Sequence, residues 1–290
     1  MDNLIAKEVK QITESGCVNN DGKNEMIKNS DIRYRLSEVG FLSIQGEGHY
    51  AGTPSIWVRS FGCNLKCLGF PCDTEYSWNP SFKNQHQSYT SQEVYDNLKN
   101  VITDKHNPSG SLVHPLTGND IHLVFTGGEP LLKVYQKMIQ EVVSMFALDN
   151  EIVHFTMETN STQILTEDFY RWLIHNTNVI PFFSISPKLK TVSGELLAVN
   201  VENITKILDA FPGQLKFVAD ASEECETELL YFVEKLMYNS SSQYEYWVMP
   251  LGSTREDQLQ IAPIVEKYQQ LGFKIATRNH TYIWSDDRNR

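Results

Sequence analysis

Three of the chain's five cysteines fall within ten residues, at Cys63, Cys67 and Cys72 of FGCNLKCLGFPCDTEYSW. The spacing C-x3-C-x4-C puts three thiolates on one loop. Three thiolates can hold three irons of a cubane 4Fe–4S cluster and leave the fourth iron open to a small molecule. An electron-transfer ferredoxin would close that position with a fourth cysteine, but the next one is Cys225. A zinc site is the competing reading, with His49 or His86 as fourth ligand, although structural zinc sites usually draw on two close cysteine pairs. Exposed thiols with no metal would be an oxidation liability. Spacing alone points first to a cluster and leaves zinc and metal-free cysteines as alternatives. Cys17 and Cys225 carry no motif.

A second candidate lies at 120–130, where the apolar run DIHLVFT meets GGEP. Glycines at a strand's C-terminal end let a ligand approach the backbone. The alternative is a tight turn with Glu129 at a helix N-terminus. Arg59 shares an apolar strand with Ile56 and Val58 and therefore needs a partner, either a ligand carboxylate or a structural salt bridge.

The elements that must position these residues alternate. Strands are expected at 40–44, 54–61, 120–126, 152–158, 180–186, 214–220, 244–250 and 273–277, where Val, Ile, Phe and Tyr cluster. Helices are expected at 91–103, 130–147 (opening on Pro130), 166–175, 200–211, 222–238 and 254–270, several with Ser or Thr followed by acidic residues. Repeated strand–helix units imply an α/β fold with a mainly parallel sheet, an open or partial βα barrel with its active residues at the C-terminal strand ends. No repeat or low-complexity linker divides the chain. One domain over 33–290 is expected, behind a polar, partly disordered extension at 1–32.

The chain has 290 residues and a formal net charge of -11. That balance argues against a general polyanion binder, since nucleic-acid binding needs a basic face. No apolar run approaches the ~18 residues of a spanning helix. The opening MDNLIAKEVKQITESGC lacks the apolar stretch of a signal peptide. A cytoplasmic chain with no membrane or nucleic-acid partner is the expectation.

The cysteine loop followed by GGEP resembles the radical S-adenosylmethionine (SAM) superfamily, whose usual motif is C-x3-C-x2-C. The closer resemblance is to the family of 7-carboxy-7-deazaguanine synthases. It runs from EVGFLSIQGEGHYAGTPSIWVRSFGCN through Cys-Asp-Thr at 72–74, TGGEP at 126–130, METN at 157–160, SISPK at 184–188 and LKFV at 215–218 to NHTYIW at 279–284. QGEG ahead of the cysteines is the most discriminating of these. The chain departs in one place: its third cysteine comes two residues late, through an insertion within LGFP at 68–71.

The resemblance implies a radical SAM partial barrel carrying a 4Fe–4S cluster on Cys63, Cys67 and Cys72, with SAM and Mg2+. The implied reaction turns 6-carboxy-5,6,7,8-tetrahydropterin into 7-carboxy-7-deazaguanine with loss of ammonia, through a 5'-deoxyadenosyl radical. Ile44, Gln45, Gly46, Glu47, Arg59, Thr126 and His280 would meet the pterin. Gly127, Gly128, Glu129, Glu158, Asn160, Ser186, Pro187 and Lys188 would meet SAM. Thr74, with Asp73, would hold the magnesium. A flavodoxin- or ferredoxin-type reductant and a homodimer are also implied. A glycyl-radical activase or peptide-modifying enzyme would share the cysteines and GGEP but not QGEG, and a zinc-stabilised binding module would share only the cysteines.

Overall fold

The structure, a computed structural model, describes residues 32–70, 72–149, 152–240 and 242–285. The N-terminal extension expected at 1–32 therefore lies almost wholly outside the described residues, as do Cys17 and Pro71 of the inserted loop.

The described strands form one nine-stranded sheet. They are β1 (Tyr34–Ile44), β2 (Pro54–Ser60), β3 (Gln87–Tyr89), β4 (His122–Gly127), β5 (Val153–Thr159), β6 (Val179–Ile185), β7 (Gly213–Ala219), β8 (Glu245–Pro250) and β9 (Lys274–Ile275). Their order is β3-β1-β2-β4-β5-β6-β7-β8-β9. From β2 through β4 to β9 every pairing is parallel, while β1 runs antiparallel to both β2 and β3. With β3 and β9 at its two ends, the sheet is open. This is the expected α/β, mainly parallel, partial-barrel architecture.

The helices are α1 (Ser91–Ile102), α2 (Lys133–Leu148), α3 (Glu167–His175), α4 (Lys190–Ser193), α5 (Val201–Leu208), α6 (Glu223–Asn239), α7 (Arg255–Gln258), α8 (Ala262–Gln270) and α9 (Asn279–Trp284). Parallel strands need such crossovers, and helices that pack on the sheet bury it. Strand residues alternate accordingly. Ile56, Val58, Leu123, Phe125, Phe155, Met157, Phe183, Ile185, Leu215 and Phe217 join the main apolar core. The intervening positions put Arg59, Thr126, Glu158, Ser184 and Lys216 on the other face, around a cavity.

Four expected elements change. β1 begins six residues early, at Tyr34. Its first half carries Arg35 and Glu38, and Gly40 (φ +71°) accompanies a register shift between Val39 and Phe41. The helix expected at 254–270 is two helices, because Pro263 lacks the N–H that a helix interior needs and falls instead in the first turn of α8. Pro130 does not open a helix. Glu129 accepts the Leu131 N–H at 2.9 Å, Leu132 stays extended, and α2 starts at Lys133. The strand expected at 273–277 shrinks to Lys274–Ile275, since the chain then turns towards Arg278 and α9. β3, α4 and α9 have no counterpart in the sequence reading.

Candidate active site

The C-terminal ends of the parallel strands open on one cavity of about 840 Å³. It is bounded by the QGEG turn after β1, the cysteine loop after β2, and the segment that leads into α9. Cys63, Cys67 and Cys72 all line it. The Leu65 N–H donates to Cys63 Sγ at 3.4 Å, and Asn160 Nδ2 stands 3.9 Å from the same sulfur. Such donors stabilise thiolate charge and tune iron–sulfur centres. Burial pushes the Cys63 thiol up to about 12 and the Cys67 thiol up to about 11. Among the described residues, no three His, Cys, Asp or Glu side chains are gathered for a single metal ion. His86 stacks on Phe61 and His49 faces Glu245, so neither completes a zinc site with the cysteines. A cubane spreads its thiolates over separate irons, and the donor set fits that group better than a lone ion.

The strand ends supply the rest of the wall. The Glu158 carboxylate accepts Gln45 Nε2 at 3.0 Å and Thr126 Oγ1 at 2.9 Å. The Glu47 side chain is mostly shielded, 12% exposed, and doubly paired: Lys216 Nζ donates to one oxygen and Arg278 Nε, at 3.0 Å, to the other. Burial alone would raise the Glu47 carboxyl. The charges of Lys216 and Arg278 outweigh it and hold the group well below the usual carboxylate range. Lys216 moves up in consequence, burial opposing and Glu47 prevailing. Arg278 also reaches Gly252 O at 2.8 Å and pairs with Asp73, so one guanidinium ties the QGEG turn to the cysteine loop. Lys188 Nζ bonds Ser186 Oγ at 2.8 Å on the cluster side.

Most residues singled out from sequence meet here. Ile44, Gln45, Glu47, Arg59, Thr126, Gly127, Gly128, Glu158, Asn160, Ser186, Lys188, Asp73, Thr74 and His280 all line the cavity. Gly46, Glu129 and Pro187 do not. Gly46 lies behind His280, where a Cβ would stand 1.9 Å from the imidazole Nδ1. Glu129 is fully buried and accepts the Leu131 N–H, the Asn160 N–H and, at 2.6 Å, the Thr159 hydroxyl. It braces the end of β4 to the end of β5. Asp73 is engaged by Arg278, which leaves Thr74 as the better oxygen donor for a hard cation. Arg59 donates from Nε to Glu38 at 2.6 Å, so the salt bridge holds that edge. Its terminal nitrogens find no acceptor among the described residues.

Two residues missed from sequence dominate the electrostatics. Lys216 had a signal, an ionisable residue inside the apolar strand LKFV. Arg278 had none nearby.

The double glycine has a cause other than ligand approach. A Cβ on Gly128 would stand 2.0 Å from Gly62 O, and one on Gly127 (φ +128°) 2.4 Å from Ser60 O. The strand-end turn packs directly on the entry to the cysteine loop, where the Glu129 N–H donates to Gly62 O at 2.8 Å. Gly128→Ala is expected to cost about 1–3 kcal/mol, the usual penalty of overpacking against unyielding atoms, and to weaken SAM binding. Chemical denaturation and calorimetric SAM titration check both.

An open, mainly parallel α/β sheet whose strand ends face a three-cysteine loop has the architecture of a radical SAM partial barrel. In agreement, a crystal structure of QueE from Escherichia coli aligns with a TM-score of 0.57 at 16% identity, over 89% of this chain and 100% of that one. No family model matches the chain. A 7-carboxy-7-deazaguanine synthase from Halobacterium salinarum is 29% identical over 269 residues, which span 85% of this chain and 89% of that protein. One from Pyrobaculum aerophilum is 24% identical over 89% of this chain and 98% of that protein. By sequence the chain is similar to 7-carboxy-7-deazaguanine synthases along most of its length.

Proposed function

We propose that this chain is a radical SAM enzyme that converts 6-carboxy-5,6,7,8-tetrahydropterin to 7-carboxy-7-deazaguanine with loss of ammonia, a step of queuosine and deazaguanine synthesis. The observation that carries the reading is the meeting, in one cavity, of the cysteine loop with a fixed, mostly shielded anion, Glu47, on the QGEG turn. A 4Fe–4S cluster with SAM would supply the hydrogen-abstracting radical.

The chain's own residues bind and orient. Cys63, Cys67 and Cys72 would hold the cluster. Asn160, Ser186 and Lys188 lie on its side of the cavity and suit SAM. Glu47 offers two carboxylate oxygens to the guanidine-like edge of a pterin, with Gln45 and His280 beside it. Burial holds the His280 imidazole below its ordinary range, so it stays neutral near pH 7. The free nitrogens of Arg59 suit the substrate carboxylate. Thr74 is the residue for Mg2+.

The catalytic domain is 33–290. Among the described residues no helix is long and apolar enough to cross a membrane, and the proposed location is the cytoplasm. A flavodoxin or ferredoxin would deliver electrons, and the active form would be a homodimer.

The test is anaerobic purification with iron and sulfide analysis, then incubation of the carboxytetrahydropterin with SAM and a reductant. The expected result is a brown protein that forms the deazaguanine acid. SAM cleavage without that product would assign a different radical SAM reaction, and a colourless, zinc-bearing protein would remove the enzyme reading.

A further inference from the structure

We propose that Glu195 is the positioning residue of the cysteine loop, holding Cys67 in the orientation that the cluster needs and setting a negative charge beside it. The inference rests on the cluster reading above, and goes beyond it to a residue outside the three thiolates.

The loop is longer than a C-x3-C-x2-C loop by two residues, and added length ordinarily loosens a loop. Here it is held. The Lys66 and Cys67 N–H groups both donate to Glu195 Oε1, each at 2.6 Å. Two successive amides converging on one carboxylate oxygen fix the peptide between them. They fix it in an unfavourable place, since Cys67 has φ +48°, in the left-handed region that non-glycine residues rarely occupy. Such a conformation persists only where the surroundings over-determine it. The backbone at Cys67 decides where its Sγ points, so the carboxylate that stabilises this backbone also aims the thiolate.

The loop's next turn rests on the same support. The Gly69 N–H donates to Ser193 O at 2.8 Å. A Cβ on Gly69 would stand 2.5 Å from Val192 O and 2.7 Å from Gly194 N, so only glycine seats there. The support is itself anchored. Glu228 on α6 accepts the Lys190 and Thr191 N–H groups at 2.7 and 2.8 Å, and Ser193 Oγ bonds Leu189 O at 2.6 Å. The Glu195 N–H returns to Ser193 Oγ at 3.1 Å. A continuous set of braces therefore runs from α6 through α4 to Cys67, and Glu195 is the link that touches the cysteine loop.

Two substitutions separate its two roles. Glu195→Gln keeps an oxygen acceptor and removes the charge. Glu195→Ala removes both. The anaerobically reconstituted wild-type protein and both variants are compared by iron and sulfide content, rate of iron loss to a chelator, electron paramagnetic resonance of the reduced cluster, and midpoint potential. Circular dichroism checks the fold. The expected results are wild-type iron retention with a more positive potential in Glu195→Gln, because the reduced, more negative cluster no longer faces a fixed anion. In Glu195→Ala the expected results are at least tenfold faster iron loss and an altered resonance signal. Iron loss, resonance and potential all at wild-type values in a folded Glu195→Ala would overturn the proposal. Absence of iron and sulfide from the wild-type protein would instead sink the cluster assignment, and this proposal with it.

Discussion

Lys216→Met is expected to leave a folded but weakened protein with little turnover. The Lys216 and Glu47 side chains are 5% and 12% exposed, so their pairing is shielded from solvent. Removing one partner of such a pair strands the other, at a typical cost of about 3–5 kcal/mol. Arg278 still holds one Glu47 oxygen, which places the expected loss near the bottom of that range. The loss has a predictable pH dependence. The folded-state value of Glu47 is depressed, so it contributes stability above its unfolded value of about 4.3, and that contribution disappears as pH falls through the folded value. Without Lys216 the folded value rises and the contribution shrinks. The difference between wild type and variant is therefore largest at pH 6–7 and narrows below about pH 4. Denaturant titrations at both pH values read it. Binding suffers as well. Truncating a buried, hydrogen-bonded charge typically costs about 2–5 kcal/mol, so kcat/KM for the pterin is expected to fall about 30-fold or more. Adding Glu47→Leu to Lys216→Met removes the stranded anion and should recover stability without recovering turnover. A single variant with wild-type stability and kinetics would show that the pair does not position Glu47.

The pair also marks where sequence reading stops. Thr126 and Glu158 were singled out through the motifs TGGEP and METN, and both end apolar strands on the cavity. The helices capped by Thr166 and Ser222 were legible because capping is local chemistry, and each cap accepts the N–H three residues on. Arg278 was not legible. Its partners Glu47 and Asp73 are 231 and 205 residues away, and no spacing rule connects them. The bracing role of Glu129 was not legible for a related reason. In sequence it belongs to GGEP, and only the fold brings Thr159 and Asn160 onto its carboxylate. The first half of β1 was hidden by Arg35 and Glu38. Glu38 serves Arg59 across the β1–β2 pairing, so this charge supports a residue of the cavity wall from behind. Local rules recover elements, and the ionic framework of the site emerges from contacts that no local rule encodes.

The cysteines give the sharpest separation of the remaining alternatives. Cys63→Ala, Cys67→Ala and Cys72→Ala are each expected to abolish SAM cleavage and to lose most of the bound iron, because each thiolate would hold a different iron and no neighbouring residue replaces it. Cys63 and Cys72 are only partly buried, so their loss should shift metal-free stability by about 0.5 kcal/mol at most. Cys225→Ala is the control. Cys225 is fully buried in the first turn of α6, and its substitution should lower stability by about 1 kcal/mol while iron content and turnover stay at wild-type values. Cys72 is the decisive member of the set. It alone is displaced by the two-residue insertion, and its Sγ already stands 3.6 Å from Thr74 Oγ1. If Cys72→Ala retained the full complement of iron, the third ligand would lie elsewhere and the insertion would have moved it out of the cluster. If it behaves like Cys63→Ala, the longer loop has kept the thiolate in reach, and the bracing of Cys67 and Gly69 on α4 and Glu195 explains how two added residues were absorbed without moving the site.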